Sequence, residues 1–421
     1  MKFHEIKLPY TIHCAIPAAL LAACLVILAV VIILPGDRLP LLPPPVVSDV
    51  DDNDNGSGNL SSSSCNIFKG EWVPDDRGAP PRYTTETCPV IHGHYDCTRY
   101  GRPDLEFLRW RWRPDGCELP HLDAARFLRA ARGRSMAFVG DSLARNQMHS
   151  LVCLLSRAET PSPWTNVATA SQQQHASFSY RFERHGFTVA SFWSPFLVRA
   201  VETDTEGVGM WSLHLDEPDA DGWAARAGEF DYVVISAGSW FFRPSMFHEH
   251  GGRLVGCNGC LTPNVTDLTL RYSLRKAFRT ALRAAATAGD GERRRRRDRT
   301  VVVRTLSPSH YENGRWDGDG DCARMRPVRR GGWEMNAVEK EMYAIQAEEF
   351  AAAARRETEG EGVRMMLLDA TEAMAMRPDA HPSRYRLWQP DRFNVSRDCL
   401  HWCLPGAMDA CNDMLLHMLL R

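Results

Sequence analysis

The sequence lacks a strong charge of either sign, an internal repeat and a second long apolar run. The formal net charge is −2 over 421 residues, and this balance argues against a nucleic-acid-binding protein, which needs a basic surface. One basic run, ERRRRRDR at 292–299, falls between a predicted helix and a predicted strand, so a solvated loop is a better interpretation than a polyanion site. The chain does have 44% hydrophobic residues, enough for a large core in one big domain or two smaller ones.

The single long apolar run lies near the N-terminus. Residues 14–35 carry no charge and are long enough to cross the roughly 30 Å hydrocarbon core of a bilayer as a helix. Lys2 and Lys7 precede the run, and no small-residue cleavage site follows it, which favours a retained signal anchor over a removed signal peptide. The positive-inside rule then predicts a cytosolic tail over residues 1–13 and a type II membrane protein whose remaining residues are lumenal.

Two further features agree with a lumenal location. Eleven of the thirteen cysteines follow the apolar run, as expected in an oxidising compartment. Asn59, Asn264 and Asn394 each begin an Asn-x-Ser/Thr sequon and are candidate glycosylation sites. Residues 36–64 are Pro-rich, then acidic, then Gly/Ser-rich, a composition that buries too little apolar surface to fold. They are predicted to be a disordered stem for a folded domain at 65–421.

Strands and helices alternate along the folded part. The predicted strands cover 187–198, 230–237, 300–306 and 363–369, and the predicted helices begin near Asp123 and cover 270–288, 337–355 and 407–420. This alternation indicates an α/β fold in which helices cover both faces of a mainly parallel sheet. The segment from Cys65 to Cys117 is broken by Gly and Pro and is predicted to be a disulfide-stapled insertion.

The stretch 135–155, SMAFVGDSLARNQMHSLVCLL, predicts a short strand, a tight turn and an amphipathic helix. Ser142 lies where the strand passes into the helix. This corner places a hydroxyl at the carboxyl edge of the sheet, near helix N-terminal amides that can receive an oxyanion. Taken alone, Gly-Asp-Ser is equally consistent with an ordinary turn.

A second motif, DCLHWC, begins at Asp398 near the C-terminus. Asp398 and His401 are three residues apart, so one helical turn places the carboxylate beside the imidazole and fixes its tautomer. With Ser142 as nucleophile, His401 as general base and then acid, and Asp398 as orienting anion, the two motifs form a relay. The pair alone is better explained as a capping Asp and a core His, but both motifs together favour the relay.

The spacing around Ser142 separates two folds. An α/β-hydrolase elbow has Gly-x-Ser-x-Gly, whereas Ala144 occupies the position of the second glycine. Gly-Asp-Ser-Leu with a late Asp-x-x-His resembles the SGNH, or GDSL, esterase superfamily. More narrowly, the chain is similar to plant trichome birefringence-like polysaccharide O-acetyltransferases. The matching segments are CNIFKGEWV at Cys65, YGRPDLEFLRWRW at Tyr100, FVGDSLARNQ at Phe138, FDYVVISAG at Phe230, RTLSPSHYENGRW at Arg304 and DCLHWCLPG at Asp398.

This resemblance implies an SGNH-like α/β/α sandwich in a Golgi type II enzyme that transfers acetyl groups to hydroxyls of matrix polysaccharides. The family's Ser, His and Asp map onto Ser142, His401 and Asp398. The implied partners are a polysaccharide and an acetyl donor, with acetyl-CoA one candidate, and no bound cofactor or metal is expected. FWSPFLVR at Phe192, GSWFFRP at Gly238 and the CNGC segment indicate the branch that acetylates xyloglucan or mannan.

The resemblance also implies disulfides that tie the Asp398–His401 turn to distant parts of the chain. The expected pairs are Cys65 with Cys117, Cys88 with Cys153, Cys97 with Cys403, Cys322 with Cys399 and, locally, Cys257 with Cys260, which leaves Cys411 unpaired. The alternative is a zinc site at Cys257-x-x-Cys260 or around Cys399, His401 and Cys403. Only one CxxC is present, and the expected compartment is oxidising, so disulfides are favoured.

Four further residues are candidates for the oxyanion hole or the substrate site. Gly238, at the end of a neighbouring strand, is the first candidate donor beyond the Ser142 amide, followed by Arg145 and Asn146 one turn into the helix. Ordinary capping and packing roles are their alternative. His310 follows a strand end in SPSH and is a candidate for substrate contact.

Asp141 is interpreted as a turn and framework residue rather than the acid of the relay.

Many relatives have Gly-His-Trp where this chain has Gly238-Ser239-Trp240. Any role for a histidine at that position is therefore in doubt.

The relay leaves the acceptor open, since water can take the place of a sugar hydroxyl. An acetyl esterase on the same fold is therefore the second hypothesis. The third is a non-catalytic protein that binds wall polysaccharide through LRWRWRP, where a strand would carry Trp110 and Trp112 on one face and arginines on the other. The favoured interpretation of that segment places the Trp side chains in the core and the arginines in solvent.

Overall fold

The computed structural model describes residues 65–75, 81–164, 178–205, 208–260, 263–289, 299–316, 318–360, 363–387 and 397–420. The predicted tail, membrane span and stem, at 1–13, 14–35 and 36–64, lie outside these ranges, as do Asn59 and Asn394. Across the described ranges, no helix has both the length and the apolar character to cross a membrane. Asn264, the remaining sequon residue, is exposed in a turn.

The regular elements of the described chain are numbered here in sequence order. The strands are β1 (Gly70–Pro74), β2 (Trp110–Pro114), β3 (Ser135–Gly140), β4 (Ser162–Pro163), β5 (Ser179–Phe182), β6 (Phe187–Trp193), β7 (Val198–Thr205), β8 (Val208–Pro218), β9 (Tyr232–Ser236), β10 (Ser245–Glu249), β11 (Arg253–Asn258), β12 (Thr300–Arg304) and β13 (Arg364–Leu368). The α-helices are α1 (Ala124–Ala130), α2 (Ser142–Ser156), α3 (Thr269–Thr287), α4 (Ala337–Gly360), α5 (Thr371–Ala375) and α6 (Ala407–Leu419).

A seven-stranded sheet with the order β13-β12-β9-β3-β6-β5-β4 forms the centre of the fold. The strands from β13 to β6 pair in parallel, whereas β5 and β4 add antiparallel at one edge. Strands β9 and β12 are buried at every residue, as expected for parallel strands covered on both faces. The predicted α/β fold with a mainly parallel sheet is therefore correct.

Helices cover both faces because successive strand residues point in opposite directions. In β3, Met136 and Phe138 pack into a core with α1, α2, α5 and α6. The alternate residues Ala137 and Val139 pack into a second core with α3 and α4. Helices α3, α4 and α6 occupy the ranges predicted at 270–288, 337–355 and 407–420, with ends that differ by a few residues.

A four-stranded sheet, in the order β11-β10-β8-β7, was not predicted from the sequence. The single strand predicted over 187–198 is wrong, because β6 ends at Trp193 and β7 begins in this other sheet at Val198. The chain turns between them through Leu197, which has a φ of 64°. Phe196 and Leu197 are fully buried, so apolar residues resume directly after Ser194-Pro195, and that dipeptide is the only sequence signal of the turn.

The N-terminal part of the described chain adds the antiparallel pair β1 and β2. Trp112 is buried, packs edge-on against Trp72 with ring centroids 5.7 Å apart, and donates from Nε1 to the Ile67 carbonyl at 2.8 Å. Trp110 is partly buried against the same core. Trp112 therefore has the packing role favoured from the sequence and is not accessible as a sugar platform.

Five disulfides cross-link the described residues. They are Cys65–Cys117, Cys88–Cys153, Cys97–Cys403, Cys257–Cys260 and Cys322–Cys399, the pairs expected above, and Cys411 is a buried free thiol. Cys257 is bonded to Cys260, Cys399 to Cys322 and Cys403 to Cys97. None of these sulfurs is therefore a thiolate that could bind zinc.

Candidate active site

The turn between β3 and α2 fixes the position of Ser142. Gly140 has a φ of 147°, and a Cβ there would lie 1.8 Å from the Ser236 carbonyl oxygen on β9, so only glycine fits. Asp141 then caps α2, since its Oδ1 accepts the Leu143 N–H at 2.9 Å. Ser142 is the first residue of the helix and lies at the carboxyl edge of the parallel strands.

Ser142, His401 and Asp398 form a continuous hydrogen-bonded relay. Ser142 Oγ lies 2.6 Å from His401 Nε2, and His401 Nδ1 lies 2.8 Å from Asp398 Oδ2. Because Nδ1–H donates to the carboxylate, Nε2 is free to accept the hydroxyl proton of the serine. The structure thus brings the three residues together in the order in which the relay requires them.

The Asp398 carboxylate is anchored by the backbone of its own turn. Its Oδ1 accepts the N–H groups of Leu400 at 3.2 Å and His401 at 3.0 Å, and Arg386 Nη1 lies 3.6 Å from Oδ2. Burial alone would raise the pKa of Asp398, but the His401 ring, Arg386 and these hydrogen bonds hold the pKa below its usual range. Asp398 is therefore an anion that can stabilise a His401 imidazolium.

Asn146 joins the nucleophile helix to the His401 turn. Its Oδ1 accepts the Trp402 N–H at 2.8 Å, and its Nδ2 donates to the Trp402 carbonyl at 3.2 Å. The side chain is fully buried, and both ends of its amide are engaged. Asn146 therefore positions the His401 turn, in agreement with the packing role that the sequence also allowed.

His310 lies behind the relay rather than in the cleft. It is fully buried, with Nε2 2.9 Å from the Ala375 carbonyl oxygen and Nδ1 2.7 Å from His381 Nε2. His381 Nδ1 donates to the His401 carbonyl at 2.6 Å. The predicted substrate contact by His310 is wrong because the ring faces His381, a residue that stands in none of the motifs singled out above and was missed. The two rings support the backbone of His401.

Gly238 also differs from its predicted role. Its N–H donates to Asp141 Oδ2 at 3.2 Å, and the Ser239 hydroxyl donates to the same oxygen at 2.8 Å. An amide N–H has one proton, so in this arrangement Gly238 holds the capping carboxylate and is not directed at an oxyanion. The Ser142 amide, at the N-terminus of α2, remains the candidate oxyanion donor.

Arg145 and Tyr95 flank the relay. The Arg145 guanidinium lies over the Trp193 ring at 5.4 Å from its centroid. Tyr95 donates to the Ser142 carbonyl at 3.1 Å, and its ring centroid lies 5.6 Å from that of His401. Tyr95 was missed from the sequence, and its proximity to Cys97 was the available signal, because the Cys97–Cys403 disulfide brings this segment to the His401 turn.

Comparison with known proteins places this geometry in a family. A model described as "GDSL/SGNH-like Acyl-Esterase family found in Pmr5 and Cas1p" matches residues 119–418, and a PMR5 N-terminal domain model matches residues 63–118. Protein trichome birefringence-like 20 of Arabidopsis thaliana is 43% identical over 360 residues, or 84% of this chain and 72% of that protein.

Two further relatives carry functional names. Xyloglucan O-acetyltransferase 1 of Arabidopsis thaliana is 38% identical over 361 residues, or 85% of this chain and 80% of that protein. Xyloglucan O-acetyltransferase 4 of Populus trichocarpa is 39% identical over 359 residues, or 85% and 81%. The relay, the fold and these matches agree: the chain belongs to the GDSL/SGNH-like acyl-esterase family, with the trichome birefringence-like proteins and xyloglucan O-acetyltransferases as its relatives.

Proposed function

We propose that the chain is an O-acetyltransferase that moves acetyl groups onto hydroxyls of a hemicellulose, with xyloglucan or mannan as acceptor. The observation that carries this proposal is the contact of 2.6 Å between Ser142 Oγ and His401 Nε2, backed by Asp398. The names of the xyloglucan O-acetyltransferase relatives support the acceptor class.

The first half of the reaction acylates the serine. His401 Nε2 takes the proton of Ser142 Oγ as the oxygen attacks the acyl carbon of the donor. The negative charge that develops on the acyl oxygen is stabilised by the amide of Ser142 at the helix N-terminus. The His401 imidazolium, stabilised by Asp398, then protonates the departing group of the donor, which leaves acetyl-Ser142.

The second half transfers the acyl group to the acceptor. His401, again neutral, takes the proton of a sugar hydroxyl as that oxygen attacks acetyl-Ser142. Collapse of the tetrahedral intermediate breaks the ester bond to Ser142, and His401 returns the proton to Oγ. The products are the acetylated sugar and the free enzyme, so no oxidant or metal is needed.

The proposal extends to the setting of the reaction. The apolar run at 14–35 and the cysteine content of the rest of the chain support a single-pass type II protein of the Golgi membrane with a lumenal catalytic domain. The sequons at Asn59, Asn264 and Asn394 would then meet the glycosylation machinery. Acetyl-CoA is one candidate for the acetyl donor.

The test uses the full chain purified in detergent, with p-nitrophenyl acetate or acetyl-CoA as donor. Deacetylated xyloglucan, mannan and xylan oligosaccharides are the acceptors, and acetylated sugar is measured by mass spectrometry. The wild-type protein is expected to acetylate xyloglucan or mannan, and Ser142→Ala is expected to abolish transfer. Ser156→Ala is the matched control, because that hydroxyl only donates to the Val152 carbonyl at the end of α2.

Three outcomes separate the hypotheses. Acetate release that no oligosaccharide alters, with no acetylated sugar, would establish the esterase instead. Oligosaccharide binding without either reaction would favour a non-catalytic binding protein. Equal transfer by the wild-type and Ser142→Ala proteins would overturn the relay itself.

A further inference from the structure

Two partly exposed tryptophans stand on either side of the nucleophile turn. Trp193 is the last residue of β6, where it is the register partner of Gly140 in β3. Trp240 lies in the short turn Ser239–Phe242 that follows β9, on the other side of β3. Both therefore occupy the carboxyl edge of the sheet, the edge at which Ser142 lies.

Hydrogen bonds tie both tryptophan segments to the residues that carry Ser142. The Ser194 N–H, next to Trp193, donates to the Gly140 carbonyl at 2.9 Å. The Ser239 hydroxyl, next to Trp240, donates to Asp141 Oδ2 at 2.8 Å. The spacing between the rings and the nucleophile is thus set by the same short turn that places the Ser142 hydroxyl.

The two rings form a rigid aromatic corner. Their centroids are 5.2 Å apart at an interplanar angle of 84°. Trp240 also packs edge-on against Phe196, at 5.9 Å, and Trp211, at 5.6 Å. By contrast, Trp223 and Trp402 are fully buried. Phe242, on the same turn as Trp240, is 48% exposed, so exposed aromatic surface is present on this turn.

An arginine lies against each ring. The Arg145 guanidinium lies 5.4 Å from the Trp193 centroid, and the Arg243 guanidinium lies 4.0 Å from the Trp240 centroid. Arg243 is exposed, and a cation–π contact at an exposed site contributes only about 0.5–1 kcal/mol. A ring-shaped ligand can therefore replace the guanidinium over Trp240 at small cost, and the displaced arginine can then donate to the hydroxyls of that ligand.

We propose that Trp193 and Trp240, with Arg145 and Arg243, form the subsite that binds a pyranose ring of the acceptor next to acetyl-Ser142. This inference rests on the proposed function, and it assigns the acceptor to the carboxyl edge of the sheet, above the ends of β6 and β9. The apolar C–H face of the sugar stacks on the tryptophan corner, and the arginines bind its hydroxyls. A neutral polysaccharide offers such a face along its whole length, whereas a nucleotide donor offers one base.

Binding is measured on the Ser142→Ala background, so that turnover does not interfere. Deacetylated xyloglucan oligosaccharide is titrated into each protein by calorimetry. Trp193→Ala and Trp240→Ala are each expected to weaken binding about tenfold, which corresponds to about 1.4 kcal/mol of lost stacking. Trp240→Tyr is expected to restore part of the affinity, because a stacking face returns. The matched control is Trp316→Ala, since Trp316 is 56% exposed and lies outside the segments that carry Trp193 and Trp240.

Kinetic measurements then distinguish a defect in this subsite from a failure of the proposed acetyl transfer. In proteins with Ser142 intact, the KM for the acceptor is expected to rise about tenfold in Trp193→Ala and Trp240→Ala. The single-turnover rate of acylation by p-nitrophenyl acetate is expected to change far less. Circular dichroism and the melting temperature identify any variant that fails to fold, in which case Trp240→Tyr and Arg243→Ala provide the comparison.

Two results would overturn the inference. One is unchanged acceptor affinity and KM in folded tryptophan variants of an enzyme that transfers acetyl groups. The other is weakened use of acetyl-CoA with unchanged acceptor binding, which would assign the corner to the donor. A wild-type protein that acetylates no sugar would instead refute the proposed function, and calorimetry would still report whether the corner binds the oligosaccharide.

Discussion

The relay joins two regions that are built in different ways. Ser142 is placed by consecutive residues, since a buried strand, Gly140 and the Asp141 cap precede it directly. His401 lies in a turn between regular elements and is placed by residues distant in sequence, including Asn146 and His381. The comparison teaches that local sequence builds the turn that carries the nucleophile, with Tyr95, Gly238 and Ser239 as added supports, whereas the turn that carries the base depends mainly on long-range contacts. Loss of one such contact is therefore expected to displace the base more than the nucleophile.

The largest effect is expected when either region loses its reacting group. Ser142→Ala and His401→Ala should each lower kcat by at least about 10³-fold, because neither a lone serine nor a lone base supports acyl transfer. The double variant should be no worse than the single ones, since the two side chains act as a unit. Steady-state transfer assays measure this, and additive losses would contradict a shared relay.

The next largest effect is expected from removing the disulfide beside Asp398, compared with removing a disulfide elsewhere in the fold. Removing Cys322–Cys399, which closes 77 residues beside Asp398, should lower the free energy of unfolding by about 4 kcal/mol and kcat by about tenfold. Removing Cys257–Cys260, which closes three residues in another part of the fold, should cost about 2 kcal/mol and leave kcat unaltered. Denaturant titration and kinetics of the two double Cys→Ala variants provide the test. Equal loss of kcat in both would refute a special role for the disulfide beside Asp398.

Two buried asparagines on the α2 interface give a sharper comparison. Asn146 bonds to the Trp402 backbone, whereas Asn412 on α6 bonds to the Gln147 carbonyl and to Ser150. Asn146→Ala and Asn412→Ala should each destabilise the protein by about 1–3 kcal/mol, because each leaves buried groups unpaired. Only Asn146→Ala should also lower kcat, by about tenfold, with the acceptor KM unaltered. If Asn412→Ala lowers kcat as much, Asn146 has no specific role in positioning His401.

The smallest expected effect is a pH dependence of the free energy of unfolding that comes from His310, which lies behind the general base His401. Burial lowers the pKa of His310 to about 4, below the unfolded value of about 6.5. Between these values the unfolded chain binds a proton that the folded chain excludes, so stability falls as the pH decreases through this window. His310→Gln should reduce that slope by up to about 1.4 kcal/mol per pH unit. Urea titrations from pH 7 to pH 5 measure the slope, and an identical slope in the variant would contradict a His310 pKa that burial lowers.

The same division explains how much the sequence could predict. Strand β3, helix α2 and the position of Ser142 follow from apolar spacing and one glycine, all within a short stretch. The hydrogen-bond partners of Asn146, Gly238 and His310 could not be predicted, because Trp402, Asp141 and His381 lie far away from them in sequence. Composition does not identify the partner of a buried amide or imidazole. The disulfide pairs followed from family resemblance, which carries the long-range information that a single sequence lacks.

The four-stranded sheet shows the same limit. Its first strand, β7, is separated from β6 by only four residues, and Ser194-Pro195 is the one turn signal between apolar residues, so the change of sheet at Leu197 is easily overlooked. The aromatic corner of Trp193 and Trp240 likewise unites residues from the ends of two strands. Only the register of β3 with β6 and β9 brings these residues beside Ser142.

The central claim is that Ser142 carries the acyl group between donor and acceptor. The most direct test is rapid quenching of the full chain with an acetyl donor and no acceptor, followed by peptide mapping by mass spectrometry. We expect one acetyl group on the Ser142 hydroxyl. When oligosaccharide is then added, we expect this acetyl group to disappear while acetylated sugar appears. Transfer to the sugar at full rate with no acetyl group on Ser142, or with the group on another residue, would contradict this account.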